Sequence, residues 1–419
     1  VARLETSNST SAAISITGRT TSTGAHAGFQ GPLLAIANAV GGGITINGIT
    51  SSTTYRAVEA GGISLNALSG PIAINGTAGT GIAVGGNWGK GSLSSSASNI
   101  TLTSPIGIHL VSTTFDTSGD IKFDGPLTFY QHQTINSDGG KIIFSGAVNS
   151  SSTRELTVNS GSGAIDFDAS VSGIARLTAT ATNFNAQSIS YDGIIGSLSI
   201  TNSGDSQIAG NISGGTFTKS GAGILKLLGT NNAGGPTVSG GTLQIGDGGT
   251  TGALGSGSVS LSNNAILSFH RSDNITVANA ISGTGRLTKL GANRLTLTAN
   301  NTYNGVTTID SGTLVLQHNA PNPTSKTFAG AGALAIESSG TAFTNDFSTS
   351  GWNFGTTLSG LTIGRSTNSR NVTLGSATTI AGPVTVYAGN ISVNGNINTS
   401  AGNATGDVLL RGTGNISLA

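Results

Sequence analysis

The sequence contains no cysteine and no methionine, only 8 prolines, and little charge of either sign. Without cysteine the chain cannot be a disulfide scaffold, a thiolate metal site or a cysteine-dependent enzyme. Charged residues make up 8 % of the 419 positions, against roughly 25 % in an ordinary soluble domain. The formal net charge is +1. Because nucleic acids and anionic membranes attract clustered Lys and Arg, we expect neither as a partner.

Long apolar runs are also lacking. No stretch of 18 or more apolar residues occurs, which is the length a membrane-spanning helix needs, so we expect no insertion of this segment into a membrane. The chain starts at Val1 and shows no charged-then-apolar signal peptide. We therefore expect a processed product or a piece of a longer polypeptide.

What the sequence does contain is an internal repeat. The segment Gly119–Leu127 recurs as Gly140–Val148 and again as Gly163–Val171. Successive copies lie about 21 to 24 positions apart, the spacing of solenoid repeats. The aligned apolar positions form three columns: Ile100, Ile121, Ile142, Ile165 and Ile189; Leu102, Phe123, Phe144, Phe167 and Tyr191; and Ile106, Leu127, Val148, Val171 and Ile195. Upstream, a step of roughly 18 to 19 residues links Ile44, Ile63, Ile82 and Ile100.

Each copy alternates apolar and polar residues, as Ile165-Asp-Phe-Asp168 does. This period of two predicts strands with one buried face. A turn of about 20 residues cannot bury its apolar face alone, but turns stacked about 4.8 Å apart can. We therefore predict an all-β fold, a single-stranded, right-handed parallel β-helix (β-solenoid) of about 20 coils. A β-sandwich is the alternative, and it does not account for three columns with a common step.

A second kind of repeat follows. Ile212–Leu228 returns as Ile281–Leu297, and each copy ends in a Gly-Thr-Leu strand, at Val238–Ile245 and Ile309–Leu316. These segments resemble the passenger-associated repeat of bacterial autotransporters, with its G-x-L-x-K-x-G-x-x-x-L-x-L core. The copy at 281–316 also has the Asn-x-Tyr-x-Gly turn, whereas the copy at 212–245 lacks the Tyr.

Other segments, at 119–171 and 360–393, resemble the coils of filamentous-haemagglutinin-like exoproteins. Together the resemblances imply a Gram-negative secreted or cell-surface passenger that an outer-membrane translocator moves during secretion. A chain threaded unfolded through a pore must not carry disulfides, which fits the absence of cysteine. We expect one continuous β-helix over 1–419, with short coils at 1–98, haemagglutinin-like coils at 99–205, autotransporter-type repeats at 206–320 and haemagglutinin-like coils at 321–419.

Parallel β-helices also serve as polysaccharide enzymes, so outward carboxylates are candidates for catalysis. Alternation sends Asp124, Asp166 and Asp168 outward. Asp124 and Asp168 would lie two coils apart, roughly 9 to 10 Å, at the far edge of the separation used by inverting glycosidases. These three residues form a weak alternative catalytic site, because outward acidic residues are usually a solvated face.

Two tryptophans are candidates for contact with a partner. Trp88 and Trp352 both sit in glycine-flanked breaks of the repeat, where loops present contacts; the alternative is that each covers a coil edge.

The five histidines are scattered without metal-ligand spacing, and no glycine-rich loop opens a helix. We therefore expect no metal and no cofactor.

The sequence predicts an extracellular structural or adhesive rod and no enzyme. Its partner would be a protein or glycan of a host or neighbouring-cell surface, or biofilm matrix. Two alternatives stay open. The first is a filament subunit that stacks end to end on copies of itself, because the final segment Gly414–Ala419 copies Gly389–Val393 without a polar cap. The second is a β-helical polysaccharide-active enzyme.

Overall fold

The structure is a computed structural model that describes residues 3–6, 14–20, 29–31, 36–39, 42–50, 57–60, 63–68, 70–77, 81–84, 91–191, 196–262, 264–317, 326–403 and 406–419. Within these residues the strand pairings given by the register are all parallel, as in Phe123 opposite Phe144. The described residues contain no α-helix, and a 3-10 turn lies at Ala401–Asn403. The predicted all-β parallel β-solenoid is confirmed. Parallel pairing also excludes a β-sandwich, whose sheets are antiparallel.

The chain divides into two compact units, 1–225 and 226–419. The strands that begin in the first unit are Arg3–Thr6, Ile14–Thr20, Phe29–Gly31, Ile36–Ala39, Ile44–Thr50, Val58–Ala60, Ser64–Ala67, Ile72–Thr77, Ile82–Val84, Gly91–Ser95, Ile100–Thr103, Ile108–Leu110, Thr113–Thr117, Ile121–Asp124, Leu127–Phe129, Gln133–Asn136, Ile142–Phe144, Val148–Asn159, Ala164–Ala181, Asn183–Ser190, Ser197–Asn202, Ser206–Ile208, Ile212–Ser213, Thr216–Ser220 and Ile224–Leu227.

The strands of the second unit are all short, with two to five residues each. They are Pro236–Val238, Thr242–Ile245, Val259–Leu261, Ile266–His270, Ile275–Val277, Ile281–Gly283, Arg286–Leu290, Arg294–Leu297, Thr307–Ile309, Thr313–Gln317, Lys326–Ala329, Ala333–Glu337, Phe347–Ser348, Trp352–Phe354, Gly360–Ile363, Val372–Leu374, Thr378–Thr379, Val384–Ala388, Ile391–Val393, Ile397–Asn398, Val408–Gly412 and Ile416–Leu418.

The interior of the first unit is built on a stack of phenylalanines. Phe123, Phe144 and Phe167 are all buried. The ring centroids of Phe123 and Phe144 are 5.1 Å apart with planes 7° from parallel, and those of Phe144 and Phe167 are 4.4 Å apart at 4°. Stacking between the rings stabilises the interior in addition to the apolar area that each ring buries. The stack confirms that consecutive turns lie directly on one another, as the repeat predicted.

The predicted columns pair as expected in their middle, and at their ends the paired residues differ from the prediction. Phe167 pairs with Ala186 and not with Tyr191, because this turn is 19 residues long where the previous one had 23. Ile189 correspondingly pairs with Val171 instead of Ile165. At the other end Leu127 pairs with Ile108, whereas Ile106 is 54 % exposed. The predicted Ile195 lies outside the described residues.

The short upstream step is wrong. Ile44 pairs with Ile72 and Ile72 with Ile100, so these turns contain 28 residues. Ile82 belongs to a different strand column and pairs with Ile108. The 18- to 19-residue spacing joined residues that lie on different sides of the coil and do not pair with one another. The solenoid has about 15 turns where about 20 were predicted, and the long first turns account for part of that difference.

In the second unit an aliphatic column takes the place of the phenylalanines. Leu295 pairs with Leu314, Leu314 with Leu334 and Leu334 with Leu361, and all four side chains are buried. The second copy of the autotransporter-type repeat supplies Leu295 and Leu314. Its alternating residues are therefore the interior of a turn.

Glycine at the coil corners allows the turns to approach closely. Gly125 has a φ of +143°, and a Cβ there would lie 1.8 Å from the Ser104 carbonyl oxygen of the preceding turn. Only glycine fits such a conformation and contact. The glycine that follows the Ile-x-Phe strand in two of the three copies, Gly125 and Gly146, thus has a steric cause, and the third copy has Ala169 there.

A helix that could cross a membrane is not found among the residues that the structure describes. The division into four sub-regions stays a prediction.

Replacing Phe144 with Ala is expected to lower the free energy of unfolding by about 3 to 5 kcal/mol, because a cavity then interrupts the ring stack. The matched control is Ile143→Ala on the next, outward-facing position, where a change within about 0.5 kcal/mol is expected. Urea unfolding followed by circular dichroism measures both. Equal losses for the two variants would contradict an interior ring stack.

Candidate functional site

The outward carboxylates lie where alternation placed them, and lysines accompany them. Asp166 follows buried Ile165 on its strand, and the Lys141 Nζ lies 2.5 Å from its Oδ2. The Asn185 Nδ2 donates a 2.8 Å hydrogen bond to the Asp166 Oδ1. The hydrogen bond with Asp166 raises the pKa of Lys141. Asp166 is therefore part of a salt-bridged surface, with its side chain 14 % exposed.

The other two candidates are more open to solvent. The Lys122 Nζ lies 3.2 Å from the Asp124 Oδ1. Asp168 is exposed. The intervening pairs, Phe123 with Phe144 and Phe144 with Phe167, place Asp124 and Asp168 two turns apart. Two turns correspond to roughly 10 Å, as expected. A catalytic role for this face stays a prediction.

The tryptophan prediction needs a correction. Trp352 lies in the strand Trp352–Phe354, is only 4 % exposed, and packs 5.5 Å from the ring centroids of Phe328 and Phe347. It is a core residue, because the glycine before it turns the chain into a strand instead of a protruding loop. Trp88 lies outside the described residues.

Sequence reasoning missed a pair of buried lysines in the two autotransporter-type repeats. Lys219 and Lys289 occupy the lysine of the motif, and both are fully buried. The Lys219 Nζ donates to the carbonyl oxygens of Ser220 at 2.8 Å and Gly221 at 2.9 Å. Buried charges require such partners. The K-x-G spacing was visible in the sequence, but period-two alternation alone does not say that a cation turns inward.

Lys289 also bonds to the following turn. Its Nζ donates to the Gly291 carbonyl oxygen at 2.8 Å, to the Asn293 Oδ1 at 2.9 Å and to the Ser311 carbonyl oxygen of the next coil at 3.1 Å. Burial lowers the pKa of Lys289 to about 8, and that of Lys219 likewise to about 8. The motif lysine closes the glycine turn of its own repeat, and in the second copy it also ties two coils together.

A third buried lysine lies near the aromatic cluster. The Lys326 Nζ lies 3.8 Å from the centroid of the Tyr303 ring and donates a hydrogen bond to the Tyr303 carbonyl oxygen. Burial lowers the pKa of Lys326 to about 8, and burial raises the pKa of the Tyr303 hydroxyl to about 12. Tyr303 is the tyrosine of the Asn-x-Tyr-x-Gly turn, so this motif residue is a structural contact in the core.

Outward amides also link successive turns. The Asn390 backbone N–H and Nδ2 both donate to the Asn371 Oδ1 at 2.9 Å. The Asn390 Oδ1 in turn accepts the Asn415 N–H at 2.8 Å. Each of these asparagines begins an Asn-x-Ser/Thr triplet, and their amides serve in the ladder. Their recurrence follows from the fold.

In the part of the chain that the structure describes, no group of three or more His, Asp or Glu side chains could hold a metal ion.

Comparison with known proteins agrees with the two autotransporter-type repeats that the sequence predicted. The family model of the passenger-associated-transport repeat matches residues 217–245 and 287–316. Over 114 residues, or 27 % of this chain, the sequence is 36 % identical to the protein named Adhesin BmaC autotransporter of Brucella suis biovar 1 (strain 1330). The match covers 3 % of that protein, so the chain spans a small part of its length. No solved structure gives a significant match.

The fold and the matches together define a class. Two passenger-associated-transport repeats within a parallel β-solenoid support an autotransporter passenger β-helix protein, as the resemblance predicted. The similarity to an autotransporter adhesin agrees with that class.

The buried lysines predict a pH dependence. Lys289 has a pKa of about 8 when folded and 10.5 when unfolded, so the unfolded chain binds more protons between these values. Raising the pH across this window therefore favours the folded chain. We expect the urea midpoint to rise from pH 8 to about pH 9.5, below the range near pH 10 in which unfolded tyrosine ionises, and to rise less in Lys289→Met. The matched control is Lys122→Met, whose lysine is 40 % exposed and whose loss should leave the rise unchanged. A midpoint that falls, or an equal rise in both variants, would contradict this assignment.

Proposed function

We propose that this chain is a section of an extracellular, adhesive autotransporter passenger that carries no enzymatic activity. The observation that carries the proposal is the pair of passenger-associated-transport repeats in a chain that is 36 % identical to part of an autotransporter adhesin. The proposed partners are surface molecules of a host or neighbouring cell, or biofilm matrix. An outer-membrane translocator is the proposed partner during secretion.

The chemistry of the described surface supports an adhesive role. Outward positions of the strand column in the first unit carry hydroxyls, and the column runs through Thr134, Thr157, Thr178, Ser199 and Thr218. Hydroxyls donate and accept hydrogen bonds without fixed charge. With a net charge of +1, such a surface avoids long-range repulsion from either sign of cell surface.

Adhesion is tested with beads coated with the purified chain and presented to epithelial cells, to Gram-negative cells and to biofilm matrix. We expect beads coated with the folded chain to be retained about tenfold more than beads coated with the control variant on at least one of these surfaces, because many weak contacts on one bead act together. The matched control is Phe144→Asp, which keeps the outward residues but buries a charge in the ring stack and so disrupts the fold. Equal retention by both coatings on all three surfaces would contradict the adhesive role.

The absence of enzymatic activity is tested separately with a polysaccharide panel, by assays for reducing ends and unsaturated products. We expect the chain to release neither above the blank. Activity that disappears in Asp168→Asn would instead establish the polysaccharide-active alternative. End-to-end stacking into a filament stays a prediction.

A further inference from the structure

A groove of about 470 Å³ lies in the first unit at a corner of the solenoid. Its volume falls in the range of ligand pockets, about 300 to 1,000 Å³. Its described lining is Glu155, Ala175, Arg176, Gly196, Ser197, Gly215 and Thr216.

One wall of the groove is a polar column that crosses four turns. Glu155 pairs with Arg176, Arg176 with Ser197 and Ser197 with Thr216. Four turns extend roughly 14 Å along the stack. All four residues are outward-facing strand positions, so the wall presents a carboxylate, a guanidinium and two hydroxyls in sequence.

Contacts among the side chains of the wall fix their positions before any ligand binds. The Arg176 Nη1 lies 3.5 Å from the Glu155 Oε1, and the Arg176 Nε donates a 3.2 Å hydrogen bond to the Ser197 Oγ. The two charged side chains remain 55 % and 41 % exposed for Arg176 and Glu155. Because they form a pair, the described lining carries no net charge.

The floor of the groove is formed by small residues directly before the strands. Gly215 has a φ of +65°, and a Cβ there would lie 2.4 Å from the Gly196 carbonyl oxygen. A Cβ at Gly196 would lie 2.4 Å from the Tyr191 ring. Glycine at these two positions therefore lets the backbone of adjacent turns lie close together beneath the groove.

The chemistry of the lining favours one class of occupant. An anionic polymer needs an excess of cations, and the described lining has a balanced pair. A peptide that adds as a strand needs an unpaired strand edge, and one that docks as a helix or polyproline segment needs an apolar groove; the described lining offers neither, since its strands are paired on both sides. A chain of neutral sugars presents hydroxyls that donate to Glu155 and accept from Arg176, Ser197 and Thr216.

We propose that this groove, lined by Glu155, Arg176, Ser197 and Thr216, binds a neutral glycan chain laid across successive turns of the solenoid. The inference rests on the proposed adhesive function, for which it names a ligand class and a site. The residues of the polar wall act as hydrogen-bonding contacts, and the glycine floor lets sugar rings approach the backbone.

The test is calorimetric titration of the full chain with cellohexaose, mannohexaose and chitohexaose, with hexagalacturonate as the acidic comparison. We expect millimolar or tighter binding of at least one neutral hexasaccharide. Ser197→Tyr places a ring in the groove and should weaken that binding about tenfold or more. The matched control is Ser92→Tyr, at an outward position of Gly91–Ser95 in the same unit, which should leave the affinity unchanged. Circular dichroism checks that both variants keep the wild-type fold.

Three outcomes would overturn the inference: no binding of any neutral hexasaccharide, binding of hexagalacturonate alone, or equal affinities in the two variants. The bead assay separates these failures from failure of the adhesive role. Beads retained on a surface by a chain that binds no hexasaccharide would leave adhesion standing and remove the groove as its site.

Discussion

Parallel pairing of each turn with the next is the interaction on which the rest of this structure depends. A single turn has too little apolar area to fold by itself, so its buried side chains must lie over those of its neighbours. The stacked rings of Phe123, Phe144 and Phe167 meet this requirement in the first unit. In the second unit the column from Leu295 to Leu361 does the same. The outward residues are consequently free to vary, and surface chemistry can change without cost to the interior.

The stacking of turns also explains why the inward lysines of the two repeats occupy the same position. A corner that turns tightly leaves carbonyl oxygens pointing into a space that water does not reach. In both passenger-associated repeats a lysine fills that space, and its Nζ bonds to the carbonyl oxygens one and two residues on. Lys219 and Lys289 are thus structural parts of the motif. Their burial costs solvation, which lowers their pKa and makes them sensitive to pH.

The surface divides into regions of different chemistry although the interior is regular. The face with Asp124, Asp166 and Asp168 carries lysines beside two of its three carboxylates. The corner with Glu155 and Arg176 instead combines a charge pair, hydroxyls and two glycines. Because a solenoid repeats its backbone at every turn, a groove can extend over several turns wherever successive corners have small residues. An adhesive role fits such a surface.

The sequence by itself determined the strand type, the stacking and the interior identity of Phe123, Phe144 and Phe167, because period-two alternation at a constant step leaves few other solutions. It also determined the passenger-associated repeats, whose motif is long and specific. Only the tertiary structure decided where turns change length, as at Ala186, because a strand on another side of the coil can imitate a repeat. Only the tertiary structure placed Trp352 in the core and Lys289 beneath its turn, since burial of such side chains depends on the neighbouring coils. The corner groove likewise arises from residues that lie about 20 positions apart and meet only when the turns stack.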